Sequence, residues 1–177
     1  DVIGLLSKDG TEIYTTETVA GLLGYGNTMH NGDIVQIGTW MTVEAIPAYN
    51  SPEKQQFHPR TGRDNGYLLT IGGSRIYIAG DTEPTQEMET LNDIDIAFLP
   101  VNQPYTMTVE QAAGAARKIN PRVFFPYHFG QTDQKTDIHR LAELLDGSGI
   151  DDRIRSMEYW TVNQLAGPGN FQGPAFV

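Results

Sequence analysis

Apolar positions along this chain alternate between the two-residue spacing of a strand and the three-to-four spacing of a helix, and the changes mark its elements. Val2, Ile3, Leu5 and Leu6 read as a short helix running into a Lys8-Asp9-Gly10 turn. Residues 12–15 form a short strand. Thr16 then stands at an N-cap position before Val19, Leu22 and Leu23 at helical spacing. Asn31-Gly32 signals a turn, and residues 34–37 and 41–48 read as paired strands. Residues 49–66 break the pattern, with two prolines, two glycines and five charged side chains between Glu53 and Asp64. A loop of that length inside a domain is usually functional or disordered. Beyond it, residues 67–71 and 75–78 make a hairpin across Gly72-Gly73.

Residues 94–99 are an apolar run of buried-strand type. Thr108-Val109-Glu110-Gln111 is a capping box, opening an alanine-rich helix that ends at Ile119-Asn120-Pro121. A strand at 123–125, a helix over 136–145 stopping at Gly147, and a last strand at 153–157 follow. The Gly/Pro-rich residues 167–177 read as a flexible tail after a single domain over 1–166. Within that tail Phe171-Gln172-Gly173-Pro174 has the form of a protease-tag scar or of a natural terminus. Hairpins first, then strands alternating with helices, predict a mixed α/β sandwich.

Composition narrows the function. The 177 residues are 39% hydrophobic and 19% charged, ordinary for one globular domain. A net charge of −10 works against nucleic acid and anionic membrane surfaces as partners. There is no cysteine, so disulfides, thiol catalysis and cysteine-ligated zinc are excluded. No apolar run of about 18 residues occurs. A soluble protein of the cytoplasm or periplasm is the expectation, with the compartment and any homo-oligomer left open. The chain begins at Asp1 without a methionine, as a trimmed or mature product would.

Two strings carry the chemistry: Ile78-Ala79-Gly80-Asp81-Thr82 and Phe125-Pro126-Tyr127-His128-Phe129-Gly130. Each sets one metal-binding side chain at the end of an apolar strand. A carboxylate and an imidazole at adjacent strand ends make half a metal site. Gly80 permits close backbone approach beside Asp81. Asp81 and His128 are therefore the expected metal ligands and catalytic residues. His30, beside a turn, and His139, on an amphipathic helix next to Arg140, read as solvated surface residues.

With these strings the chain resembles the metallo-β-lactamase superfamily, specifically small metal-dependent hydrolases near the sugar-lactonase branch. The resemblance covers roughly residues 34–157 and implies an αββα sandwich. It implies that Asp81 bridges metal ions, zinc first, with manganese or iron also allowed by the donors. It implies a ligand histidine upstream of the Gly-Asp strand. Ala48-Tyr49-Asn50 occupies one such place, so His58 takes that duty, touches substrate, or is simply a surface-loop residue. The family's His-x-His-x-Asp-His string does not occur in these residues. That predicts that the N-terminal part of the fold is missing here, with residues 2–6 as the helix that follows the string.

The long loop is the expected substrate contact. Lys54, Arg60 and Arg63 stand out in an acidic chain and can hold a carboxylate or phosphate on a small-molecule substrate, unless they are simply solvated. Asn65-Gly66-Tyr67 matches the family's lead into its hairpin, and Tyr105 sits where the family has a loop near its cleft. The expected substrate-binding set is thus His58, Arg60, Arg63, Asn65 and Tyr105. The implied activity is attack of a metal-activated hydroxide on an ester, lactone or phosphoester. The alternative is a non-catalytic or truncated remnant of the fold that acts as a binding domain.

Overall fold

The computed structural model describes residues 2–129 and 136–152. It opens with helix α1 (Val2–Leu6), strand β1 (Tyr14–Thr15), helix α2 (Glu17–Leu23) and strand β2 (Asn27–Thr28). Strands β1 and β2 pair in parallel as a small separate sheet. Thr16 caps α2 as expected, its hydroxyl accepting from the Val19 amide.

The remaining strands are β3 (Ile34–Ile37), β4 (Met41–Ala48), β5 (Asp64–Ile71), β6 (Ser74–Ile78), β7 (Ile96–Pro100), β8 (Val123–Tyr127) and β9 (Asp151–Asp152). They form one seven-stranded sheet in sequence order. Pairings from β3 to β6 are antiparallel, and those from β6 to β9 are parallel. Gly72 and Gly73, at φ +56° and +90°, make the turn between β5 and β6, a conformation that side-chain-bearing residues resist.

Helices α3 (Val109–Ile119) and α4 (Ile138–Leu145) supply the crossovers. The capping box of α3 is complete: the Thr108 hydroxyl accepts from the Gln111 amide at 3.1 Å, and the Gln111 side chain accepts from the Thr108 amide at 2.8 Å. Ala112, Ala113, Ala115 and Ala116 form its buried face, which brings the helix close to Tyr77, Ala97, Leu99 and Phe124 of the sheet. Leu141 and Leu145 of α4 join the same core. On the other side, Met29, Val43 and Ala45 are buried with Tyr14, Val35 and Tyr67 packed around them, so the N-terminal segment covers part of the second face. The result is an α/β sandwich, a mixed sheet flanked by helices.

Several boundaries differ from expectation. β5 begins at Asp64, not 67, because residues 64–66 continue the ladder opposite Ala48, Pro47 and Ile46. β7 starts at Ile96 rather than 94. The last described strand is Asp151–Asp152; the strand expected at 153–157 and the tail at 167–177 lie outside the described residues. Helix α4 starts at Ile138, where Asp137 caps it by accepting from the Arg140 amide at 2.9 Å. Among the described residues, no helix is long and apolar enough to cross a membrane.

Candidate metal centre

Strands β6 and β8 run parallel on either side of β7, so their C-terminal ends reach the same edge of the sheet. The expectation of adjacent strands is corrected here: β7 lies between the two. Side chains must therefore reach across its end, and they do. His128 Nδ1 lies 2.9 Å from Asp81 Oδ1. His128 adopts φ +54°, a left-handed conformation that is uncommon for any residue except glycine. Such a backbone persists where the surroundings hold it, and it clusters at functional sites. One such hold is the preceding residue: the Tyr127 hydroxyl donates to the Gly80 carbonyl at 2.5 Å, tying the end of β8 to the end of β6. Burial pushes the Tyr127 phenol above its ordinary range, and the nearby Asp81 carboxylate adds to this.

Two glycines let the strand end close up. A Cβ on Gly66 would lie 2.6 Å from the Ala79 carbonyl oxygen, and one on Gly80 would lie 2.6 Å from the Asn65 carbonyl oxygen. The Asp81 turn is then stitched to the long loop. The Tyr49 amide donates to the Thr82 hydroxyl at 2.9 Å, and the Ser51 amide donates to Glu83 Oε2 at 2.8 Å. Glu83 is 3% exposed. Its Oε1 takes the Lys54 ammonium at 2.8 Å and the Gln111 side-chain amide at 3.1 Å. Burial alone would raise this carboxyl, but the Lys54, Ser51 and Gln111 donors win and hold it at about 2.

The loop itself is built rather than irregular. Pro52–Lys54 is a turn of 3-10 helix, and the Gln55 side chain donates to the Asn50 carbonyl while accepting from the Arg60 amide at 2.6 Å. His58 Nδ1 faces Asp64 Oδ2 at 3.2 Å. Arg63 grips the same carboxylate with two bonds, at 2.8 and 2.6 Å, and also donates to the Phe57 carbonyl at 2.8 Å. Burial opposes ionisation of Asp64, yet Arg63 and His58 together lower its pKa below the ordinary value. The Arg60 guanidinium stacks over the Tyr49 ring at 4.6 Å. Tyr105 is 39% exposed and meets Phe57 edge-on at 4.9 Å.

The expected residues therefore fall into groups. Asp81 and His128 meet directly. His58 and Arg63 meet through Asp64, on a loop sewn to the Asp81 turn, while Arg60 lies over Tyr49 and Tyr105, from the connection between β7 and α3, meets Phe57. Asn65 is an internal tie: its amide donates to the Met29 carbonyl at 2.8 Å and its oxygen accepts from Asn31 at 2.6 Å. His30 and His139 are exposed, as expected. Sequence reasoning passed over Asp64 and Glu83, and met Asn50 only as part of a string standing where a ligand histidine was expected. The first two flank the Asn65-Gly66 and Asp81-Thr82 pairs, and that adjacency was the available signal. Asn50 is 1% exposed; its amide donates to the Tyr105 carbonyl at 2.7 Å, and among the described residues its Oδ1 has no hydrogen-bond partner.

A catalytic zinc usually takes three protein ligands. Among the described residues, no group of three or more histidine, aspartate or glutamate side chains is placed to hold a metal ion. Asp81 and His128 are two donors, and the described set by itself does not fit a catalytic metal.

A family model described as a β-lactamase superfamily domain matches residues 13–129, well over half of the chain. The chain belongs to the metallo-β-lactamase superfamily. Its similarity to curated relatives runs to proteins named UPF0173 metal-dependent hydrolases. One from Deinococcus radiodurans is 33% identical over 131 residues, covering 69% of this chain and 56% of that protein. One from Symbiobacterium thermophilum is 44% identical over 80 residues, covering 42% of this chain and 36% of that protein. The chain thus spans about half or less of these relatives. A solved structure from Parabacteroides distasonis, described as a metal-dependent hydrolase, is 52% identical with a TM-score of 0.79, covering 85% of this chain and 67% of that one. Igni18, a metallo hydrolase from Ignicoccus hospitalis, shares the fold at a TM-score of 0.72 and 20% identity, covering 86% of this chain and 69% of that one.

Proposed function

We propose that this chain is the loop-bearing portion of a metal-dependent hydrolase domain, and that by itself it binds small molecules rather than hydrolysing them. The observation behind this is the Asp81–His128 pair at 2.9 Å, with no third donor grouped with it among the described residues. Two donors at one sheet edge are the makings of a metal site, and relatives named metal-dependent hydrolases give that pair a purpose. A carboxylate and an imidazole suit a divalent ion, zinc first, with manganese or iron as alternatives. In the whole protein, where further ligands complete the set, the substrate would be an ester, lactone or phosphoester.

Within this reading His58 takes the substrate side. Asp64 holds its Nδ1, and Arg63 holds Asp64, which leaves Nε2 to meet a substrate or a metal. Thr82 and Glu83 keep the Asp81 turn and the loop in one piece, so the geometry at Asp81 and the shape of the loop change together. The test is elemental analysis of the 177-residue chain after exposure to zinc or manganese, with a panel of ester, lactone and phosphoester substrates. The expected result is no stoichiometric metal and no turnover. Metal-dependent turnover by this chain alone would overturn the proposal.

A further inference from the structure

Three cations mark the long loop, and the structure uses them unequally. Lys54 is consumed by Glu83, with its ammonium also 3.2 Å from Gln103 Oε1. Arg63 is consumed by Asp64 and the Phe57 carbonyl. Arg60 differs. Among the described residues no carboxylate lies within salt-bridge distance of its guanidinium, although carboxylates outnumber cations in the chain by 22 to 12. It is nevertheless fixed in place. Its backbone amide donates to Gln55, its guanidinium lies over Tyr49 at 4.6 Å, and the Tyr49 hydroxyl is pinned by Glu87 at 2.8 Å. Glu87 thus spends its carboxylate on the phenol and does not pair with the arginine.

We infer that Arg60, stacked on Tyr49, is a preorganised subsite for an oxyanion, carboxylate or phosphate, carried by a small organic molecule. Stacking leaves the planar N–H fork free to take an oxyanion in two parallel bonds, at little further loss of side-chain freedom. The other two cations of the loop are taken up in ion pairs, which leaves Arg60 as the loop cation open to an added anion. The exposed Tyr105 ring, on the connection between β7 and α3, meets Phe57 of the long loop edge-on and adds an apolar surface beside that loop for the organic part of the molecule. This inference rests on reading the loop as the substrate side of the site, and names the class of substrate that side accepts.

The test needs no metal and no turnover, so its failure is separate from failure of the hydrolase reading. Benzoate, inorganic phosphate and the neutral isostere benzamide are titrated into the full chain and followed by NMR shifts of loop amides. Benzoate and phosphate should bind, benzamide at least about tenfold more weakly than benzoate. Arg60→Ala should weaken both anions about tenfold or more. Tyr49→Leu should weaken them less, since it loosens the guanidinium without removing it. Arg122→Ala, at a cation whose side chain is 82% exposed and lies beside Asp95, should change nothing and serves as the control for net charge. Benzamide binding as well as benzoate, or anion binding unchanged in Arg60→Ala, would overturn the inference.

Discussion

Replacing Glu83 by glutamine keeps the shape of the side chain and removes its charge. The carboxyl is held at about 2 against an ordinary value of 4.5, which corresponds to about 3 kcal/mol of stability near neutral pH. Lys54 would not be stranded, since its side chain is 23% exposed and Gln103 remains at 3.2 Å. The loss should therefore stay near that value and not climb to the upper end seen when a buried pair loses one member, about 5 kcal/mol. For a domain of this size that is a fall in Tm of about 6–12 °C. The sign with pH follows from the depressed pKa. Glu83 contributes fully above about 4.5, and its contribution fades as pH falls through about 2. Urea denaturation of the wild type and Glu83→Gln at about pH 7 and about pH 3 reads both effects. The gap should be about 3 kcal/mol at the higher pH and clearly smaller at the lower. A gap under about 0.5 kcal/mol at pH 7, or one unchanged by acid, would refute the assignment of Glu83 as the charged pin of the loop.

Other consequences are more local. Gly66→Ala drives a Cβ to within 2.6 Å of the Ala79 carbonyl oxygen, and should destabilise the fold by more than about 2 kcal/mol in a denaturation series. Thr108→Ala removes half of the capping box of α3 and should cost about 1 kcal/mol by the same measurement. In the whole protein, Asp81→Ala should strip bound metal as read by elemental analysis; undiminished metal would remove Asp81 from the ligand set. Arg63→Ala frees Asp64 and should loosen residues 57–64, seen as faster amide exchange there with little change in the sheet.

Much of the fold was legible because its elements carry local signals. The Gly72-Gly73 turn, the Thr108–Gln111 capping box and the Asn120-Pro121 stop each act within a few residues, and each is where the sequence put it. The Asp81–His128 meeting was legible for a different reason: both residues follow apolar strands, and parallel strands in one sheet end at one edge. That β7 lies between them was not legible, because strand order is a long-range property. The internal order of the long loop was not legible for the same reason. Its order comes from partners far along the chain, Lys54 with Glu83 and Tyr49 with Thr82, and no periodicity records such contacts. Arg63 drew notice as a free cation because the sequence does not show that its neighbour Asp64 turns back to take its guanidinium.

The central claim is that Asp81 and His128 form one part of a metal site that the described residues do not complete. Zinc titration of the 177-residue chain by calorimetry, alongside Asp81→Ala and His128→Ala, tests it most directly. The account predicts at most weak binding by the chain, reduced in both variants. Tight stoichiometric zinc that survives either substitution would contradict it.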